Sequence, residues 1–372
     1  MKPLSIIVVG LSLSSSWGNG HATTYRALLA GLGRLGHRVL FLEREQPWYT
    51  ENRDLVDPDY CDLRFYSAVR ELGAWREELS KADAVIVGSY VPDGAEVIDR
   101  IASFAPRLLC FYDIDTPVTL AGLERGEETY VTRRQLRDFD VYFSFSGGRA
   151  LDRLRHQFGV RRAEPLYCSV DADAYTPSSE AKRWDLGYLG TYSADRQPTI
   201  DELLVRTAEL MPQCRFVVAG PQYPDTIRWP DNVERIEHLP PRLHRSFYGR
   251  QRYTLNVTRA DMIATGWSPS VRLFEAAACA TPVISDRWDG LADFFPEPEA
   301  MSTAATAEDV AAILGRGPAA AARQGEAARR IVLSRHTGLV RAGELAEAIR
   351  SANGGASLHL PAASKERRHA TQ

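Results

Sequence analysis

Leu4 to Gly10, LSIIVVG, is an apolar run rich in Ile and Val. Such a strand is buried on both faces, which puts it inside a parallel sheet rather than on the half-wetted face of an antiparallel one. The residues that follow agree with this. A Ser/Gly-rich loop, LSLSSSWGNGH, leads into a helical segment from about Ala22 to Leu35, in which Tyr25, Leu28, Leu32 and Leu35 recur at helical spacing. Gly36 then supplies a stop. HRVLFLE reads as the next strand. Parallel neighbours need a long crossover, usually a helix, so strand–loop–helix–strand is the building unit of a doubly wound α/β sheet.

The rhythm continues through DAVIVG (Asp83–Gly88), RLLCFYD (Arg107–Asp113) and DVYFSFS (Asp140–Ser146). A polar segment, SVDADAYTPSSEAKRW, interrupts it before a second series begins with DLGYLGTY and CRFVVAG. NVERIEHL (Asn232–Leu239), YTLNVT (Tyr253–Thr258) and TPVIS (Thr281–Ser285) are further strand candidates. A chain of 372 residues accommodates two domains. We expect a Rossmann-like domain over 1–167, a second over 168–336, a helix over 337–352 and a disordered tail over 353–372.

The net charge of −3 gives no global attraction for nucleic acid or an anionic membrane. No apolar run approaches the ~20 residues of a membrane span, and the start reads as a strand, not a signal peptide. The five cysteines are scattered, without a C-x-x-C, and imply reduced thiols in a cytoplasmic protein.

Ligands of doubly wound sheets sit outside the carboxyl ends of the strands, so the chemistry is sought there. GWSPSVRLFEAAACATPVIS (Gly266–Ser285) is the most informative stretch. Ser268 is read as the N-cap, with Pro269 at the first helical position and Ser270 beside it. The free amides of that helix end suit a phosphate, and Arg272 adds a cation. Glu275 lies deeper, where a ribose would fall if a diphosphate sat at the helix end. Gly190 and Thr191 end a strand with Arg196 on the same loop, and His238-Leu239-Pro240 follows another strand. The loop Gly18-Asn19-Gly20 suits the approach of an anion at a helix start, and His21 beside it is a candidate proton carrier. Glu43 stands 23 residues past Gly20, as a ribose-binding acid of a dinucleotide site would, so a nicotinamide-dependent oxidoreductase is the alternative. Asp113 and Asp115 form a D-x-D pair at a strand end, either a base or charge stabiliser in the cleft or an Asx-type turn.

Taken together, GWSPSVRLFEAAACATPVIS, DLGYLGTYSADRQP, FVVAGPQYP, IEHLPP, LNVTRADM, FYDIDTPVTLAGLERG and PLYCSVD resemble GT-B glycosyltransferases of the group 1 type. The resemblance is nearest to their spore-maturation-type (CgeB-like) branch and covers most of residues 1–336. It implies two Rossmann-like domains facing across a cleft, with the last helix crossing back to the first domain. It implies transfer of a sugar from a nucleotide-diphosphate sugar to an unidentified acceptor, without a metal or other cofactor. The Glu275 position binds the donor ribose in that family, and the segment at His238 and Leu239 cradles the base. Two departures stand out. Trp267 occupies the place of a sugar-binding glutamate, and Thr191 and Arg196 stand where an Arg and a Lys grip the diphosphate. The first departure keeps open a non-catalytic sugar-nucleotide-binding protein on the same fold.

Overall fold

The computed structural model describes residues 2–17 and 20–356. Gly18 and Asn19 of the expected phosphate loop, and the tail 357–372, lie outside the described residues.

The first sheet contains β1 (Ser5–Gly10), β2 (Arg38–Arg44), β3 (Asp62–Tyr66), β4 (Ala84–Gly88), β5 (Leu109–Asp113), β6 (Val141–Ser144) and β7 (Ala163–Pro165), in the spatial order β3-β2-β1-β4-β5-β6-β7. The second contains β8 (Trp184–Leu189), β9 (Phe216–Ala219), β10 (Val233–Ile236), β11 (Gln251–Asn256), β12 (Val283–Ser285) and β13 (Ser302–Thr303), in the order β10-β9-β8-β11-β12-β13. Both are parallel throughout the described residues. Ile7 and Val9 pack with Val85 and Val87 in one core, and Ile6 and Val8 with Ile86 in another. Successive side chains of β1 therefore feed opposite faces, which is why Ile6 to Val9 carry no polar position.

Strand order reverses between β1 and β4 in the first sheet and between β8 and β11 in the second. Each reversal opens a crevice at the carboxyl ends of those strands, and the loops after them are where a ligand fits.

The chain crosses between the sheets twice, and the crossings are tied together. Val170 N–H donates to the His336 carbonyl at 3.1 Å, and Gly338 N–H donates to the Val170 carbonyl at 3.1 Å. The helix Gly338–Ala356 then packs on the helix Gly20–Arg34, with Ala342, Leu345, Ala346 and Ile349 joining the core that holds Leu28 and Leu32. Contact is close at Gly338, where a Cβ would lie 2.0 Å from the Ala27 carbonyl oxygen, and at Gly31, where one would lie 2.3 Å from the Gly338 carbonyl oxygen. This last helix runs to Ala356, four residues past its expected end at 352, because Ala352 still packs on the core and the Asn353 amide donates to the Asp83 carbonyl at 3.0 Å.

Trp267 seals the domains on another side. Its backbone has φ +44, and its ring wedges between Gly148 of the first domain and Gly290 of the second. A Cβ on either glycine would lie 2.4 to 2.5 Å from that ring. Gly147 N–H donates to the Trp267 carbonyl at 3.0 Å, and the indole N–H donates to Asp293 at 2.7 Å. The residue standing where the resemblance has a glutamate is thus an interdomain wedge.

Candidate active site

The second domain contributes a cationic corner at its switch point. β8 ends at Leu189, and Gly190-Thr191 turns the chain toward Arg196. β11 ends at Asn256 and leads to Arg259. The helix Val271–Ala278 starts beside both, and Arg272 is its second residue. Arg272 Nε donates to the Leu189 carbonyl at 2.6 Å and Nη1 to Asn256 Oδ1 at 3.0 Å. Its guanidinium lies 4.9 Å from the Tyr188 ring centroid, and Nη2 would stand 3.0 Å from a Cβ on Gly190. Glycine is required there for space. Arg196 Nη2 donates to the Thr191 carbonyl at 2.6 Å.

Burial, and repulsion from Arg272 and Arg259, hold the Arg196 guanidinium below its usual range despite nearby tyrosines. Among the described residues, no carboxylate pairs with Arg196, Arg259 or Arg272 within ion-pair distance. The buried Tyr188 hydroxyl and Arg196 Nε likewise find no hydrogen-bond partner among the described residues. Like charges on Arg196, Arg272 and Arg259 and two orphaned buried donors are costly. An anion would satisfy all of them.

The helix cap differs from the expectation. The N-cap is Ser270, not Ser268, and the helix begins at Val271. Ser270 Oγ does not cap; it donates to Asn256 Oδ1 at 3.2 Å, leaving the first-turn amides uncapped by a side chain. Ser268 is fully buried, hydrogen-bonded to Ser146 Oγ of the first domain at 2.7 Å and to the Gly266 carbonyl at 2.8 Å. Its hydroxyl belongs to the domain junction because Pro269 and the φ +69 of Gly266 turn it inward.

Glu275 is 4% exposed. Tyr175 O–H donates to its Oε1 at 2.9 Å and Tyr248 O–H to its Oε2 at 3.0 Å, with His244 Nδ1 3.9 Å away. Each carboxylate oxygen keeps a second lone-pair site. Tyr175, on the segment linking the domains, and Tyr248 were not distinguishable in the sequence from ordinary core tyrosines. His238 is exposed, while Leu239 is half-buried with its carbonyl 3.2 Å from His244 Nε2.

The first domain faces this corner with a smaller group. Asp115 is the residue before the helix Thr116–Glu124 and is half-buried. It accepts a hydrogen bond from Tyr90 O–H at 3.2 Å. Burial raises the Asp115 carboxyl above the usual range, against the opposing pull of Arg259 across the cleft. Tyr90 follows β4 with φ +61, a left-handed conformation uncommon for such a residue, and it is a member of the site that the sequence did not mark. The His21 ring meets it edge-on at 5.4 Å, and burial pushes the imidazole down to about 4, so it is neutral at pH 7.

Asp113 does not face the cleft. It is fully buried, accepting from Tyr142 O–H at 2.6 Å, Thr119 O–H at 2.8 Å and the Asp115 amide at 3.2 Å. Burial raises its carboxyl to about 6. The D-x-D pair is therefore split, with Asp113 packed under Tyr142 and only Asp115 toward the cleft. Arg125 pairs with Glu127, and Glu124 with Arg153.

Glu43 is likewise spent. It is 1% exposed and accepts from the Leu13 and Ser14 amides at 2.7 and 2.9 Å and from the Ser12 and Ser14 hydroxyls at 3.0 and 2.6 Å. The serine-rich loop folds onto this acid, which leaves it no lone pair for a dinucleotide ribose.

Residues 196–347 match the model of a family described as glycosyl transferase-like. Among solved structures, the chain is similar to sucrose-phosphate synthase from Thermosynechococcus elongatus, with TM-score 0.67 and 13% identity over 95% of this chain and 100% of that one. It is similar to Anabaena Alr3699/HepE in complex with UDP and glucose, with TM-score 0.65 and 12% identity over 94% of this chain and 100% of that one. The fold is GT-B. AviGT4, a glycosyltransferase involved in avilamycin A biosynthesis, superposes with TM-score 0.61 and 16% identity, covering 95% of this chain and 99% of that one. No curated protein matches the chain by sequence. In GT-B terms, the cationic corner lies on the second-domain side of the cleft, and Asp115, Tyr90 and His21 on the first-domain side.

Proposed function

We propose that this chain is a metal-independent glycosyltransferase of the spore-maturation-type branch, transferring a sugar from a nucleoside-diphosphate sugar to an acceptor hydroxyl. One observation carries the reading: Arg272 stands against Gly190 beside an uncapped helix start, it repels Arg196, and among the described residues neither arginine forms an ion pair. The diphosphate fills that corner. The Arg272 and Arg196 guanidiniums stabilise the negative charge that grows on it as the glycosidic bond breaks. Glu275, held by Tyr175 and Tyr248, receives the ribose hydroxyls. Asp115 takes the acceptor proton or steadies the positive sugar ring, with Tyr90 fixing its orientation. His21 stays neutral and shapes the acceptor side.

A thermal-shift panel of nucleoside diphosphates, their sugars and NAD tests this directly. A ligand at a hundred times its Kd adds about 2.7 kcal/mol, a shift of several degrees. Stabilisation by one nucleoside diphosphate and its sugar supports the reading; stabilisation by NAD alone, or by none, refutes it. The wedge role of Trp267 favours one second reading, a binding protein without turnover, which predicts the same shift with no release of free diphosphate.

A further inference from the structure

A groove of about 630 Å³ lies at the opposite end of the second sheet, beside the amino half of β11 at Tyr253. Arg316, at the end of the helix Ala307–Gly315, and Arg323 and Arg330, on the helix Pro318–Arg335, line it. Arg323 and Arg330 are seven residues apart, on one helix face about 10 Å apart along the axis. Between and before them on that face stand Ala327 and Ala320, whose small side chains leave the floor open, and Ile331 closes it with an apolar surface.

Among the described residues, Arg316, Arg323 and Arg330 form no ion pair. Arg316 has one polar contact, Ser302 Oγ at 3.3 Å. Glu299 is the sole carboxylate lining the groove, and it too forms no ion pair among the described residues. Three cations gathered at a recess repel one another, and a guanidinium fork is built to receive phosphate or carboxylate in two parallel bonds. The concavity also matters. A flat anionic surface touches exposed cations but does not fill a recessed apolar floor.

We propose that this groove is a second anion site, separate from the cationic corner of the cleft, and that it takes a small molecule bearing a phosphate on an apolar body. The three guanidiniums hold the phosphate, and the Ala320, Ala327 and Ile331 floor receives the body. The helix that carries Arg323 and Arg330 also packs on the helix that carries Arg272: a Cβ on Gly325 would lie 2.1 Å from the Ala280 carbonyl oxygen. An occupant therefore leans on the element that shapes the cleft.

Calorimetric titration with phenyl phosphate, inorganic phosphate and phenol tests this. It is run on the Arg272→Ala variant, in which the cleft corner is weakened, and on the same variant carrying Arg323→Ala and Arg330→Ala. We expect phenyl phosphate to bind the first protein and to bind the second at least about tenfold more weakly, since two charge-assisted contacts are gone. Phenol and inorganic phosphate should each bind the first protein at least about tenfold more weakly than phenyl phosphate. Equal binding to both proteins, no binding to the first, or inorganic phosphate binding as well as phenyl phosphate overturns the proposal. Both arginines are exposed, so an unchanged melting temperature of the ligand-free variant checks the fold. Wild type titrated with UDP reports on the cleft separately. Loss of one binding event without the other tells which assignment has failed.

Discussion

Replacing Arg272 by alanine puts the functional reading at greatest risk. The guanidinium has two jobs in the ligand-free protein, bonding the Leu189 carbonyl and Asn256 Oδ1. Losing those contacts costs about 1 to 3 kcal/mol of stability, which leaves a two-domain protein folded. The third nitrogen, beside Gly190, is the one assigned to the leaving diphosphate. One unit of charge at about 4 Å in an effective dielectric of about 20 is worth about 4 kcal/mol. Only the charge that develops between bound donor and transition state accelerates the step, and taking that as roughly half a unit gives about 2 kcal/mol. Turnover should therefore fall about thirtyfold, and by no less than about tenfold. The ground-state diphosphate also loses a cation, so affinity for the nucleoside diphosphate should weaken in parallel. Arg272→Lys should recover part of the charge effect but not the fork to Leu189 and Asn256. The assay is single-turnover release of diphosphate from the donor sugar that the thermal panel identifies, with the Kd for the matching nucleoside diphosphate measured alongside. Normal turnover and normal affinity in a folded Arg272→Ala protein would refute the anion assignment of this corner.

The two aspartates of FYDIDTP should separate cleanly. Asp113→Asn places an amide N–H₂ against hydroxyl and amide donors from Tyr142, Thr119 and Asp115, and should cost about 1 to 3 kcal/mol in urea unfolding. Asp115→Asn should leave stability nearly unchanged and lower sugar transfer by about a hundredfold or more; the reverse pattern would exchange their roles. His336 offers a pH test. It stacks on Phe274 at 4.6 Å, its Nδ1 accepts from Arg341 at 2.7 Å, and burial with the neighbouring guanidiniums pushes it down to about 3. The unfolded chain takes up that proton first, near pH 6.5, so the stability from keeping His336 neutral is full above pH 6.5 and is lost as pH falls toward 3. In urea titrations, the advantage of wild type over His336→Gln should shrink by up to about 1.4 kcal/mol per pH unit below 6.5, and parallel pH curves would contradict this.

The fold class was legible because its signal is local and repeated. Ile6 to Val9 carry no polar position, which only a strand covered on both faces tolerates, and the helix-length crossovers between such runs leave a parallel sheet as the economical arrangement. Strands β3, β7 and β13 carry no clear sequence signal because they are edge pieces of two to five residues with little to bury. The cationic residues Arg196 and Arg272 were readable from their places after a strand and at a helix start.

Burial and pairing were not readable, because they depend on partners distant in the chain. Asp113 and Asp115 differ by two positions, yet one is sealed under Tyr142 and the other opens toward Arg259. Glu43 has the spacing of a ribose ligand, but the serine loop claims both its oxygens. Ser268 looks like a cap and is a bolt between domains. Composition and periodicity set by themselves that this chain forms parallel α/β layers with chemistry at strand ends. Which carboxylates remain free for a ligand, and which arginines meet without an ion-pair partner, was decided only when segments 29 to 122 residues apart came within hydrogen-bond reach.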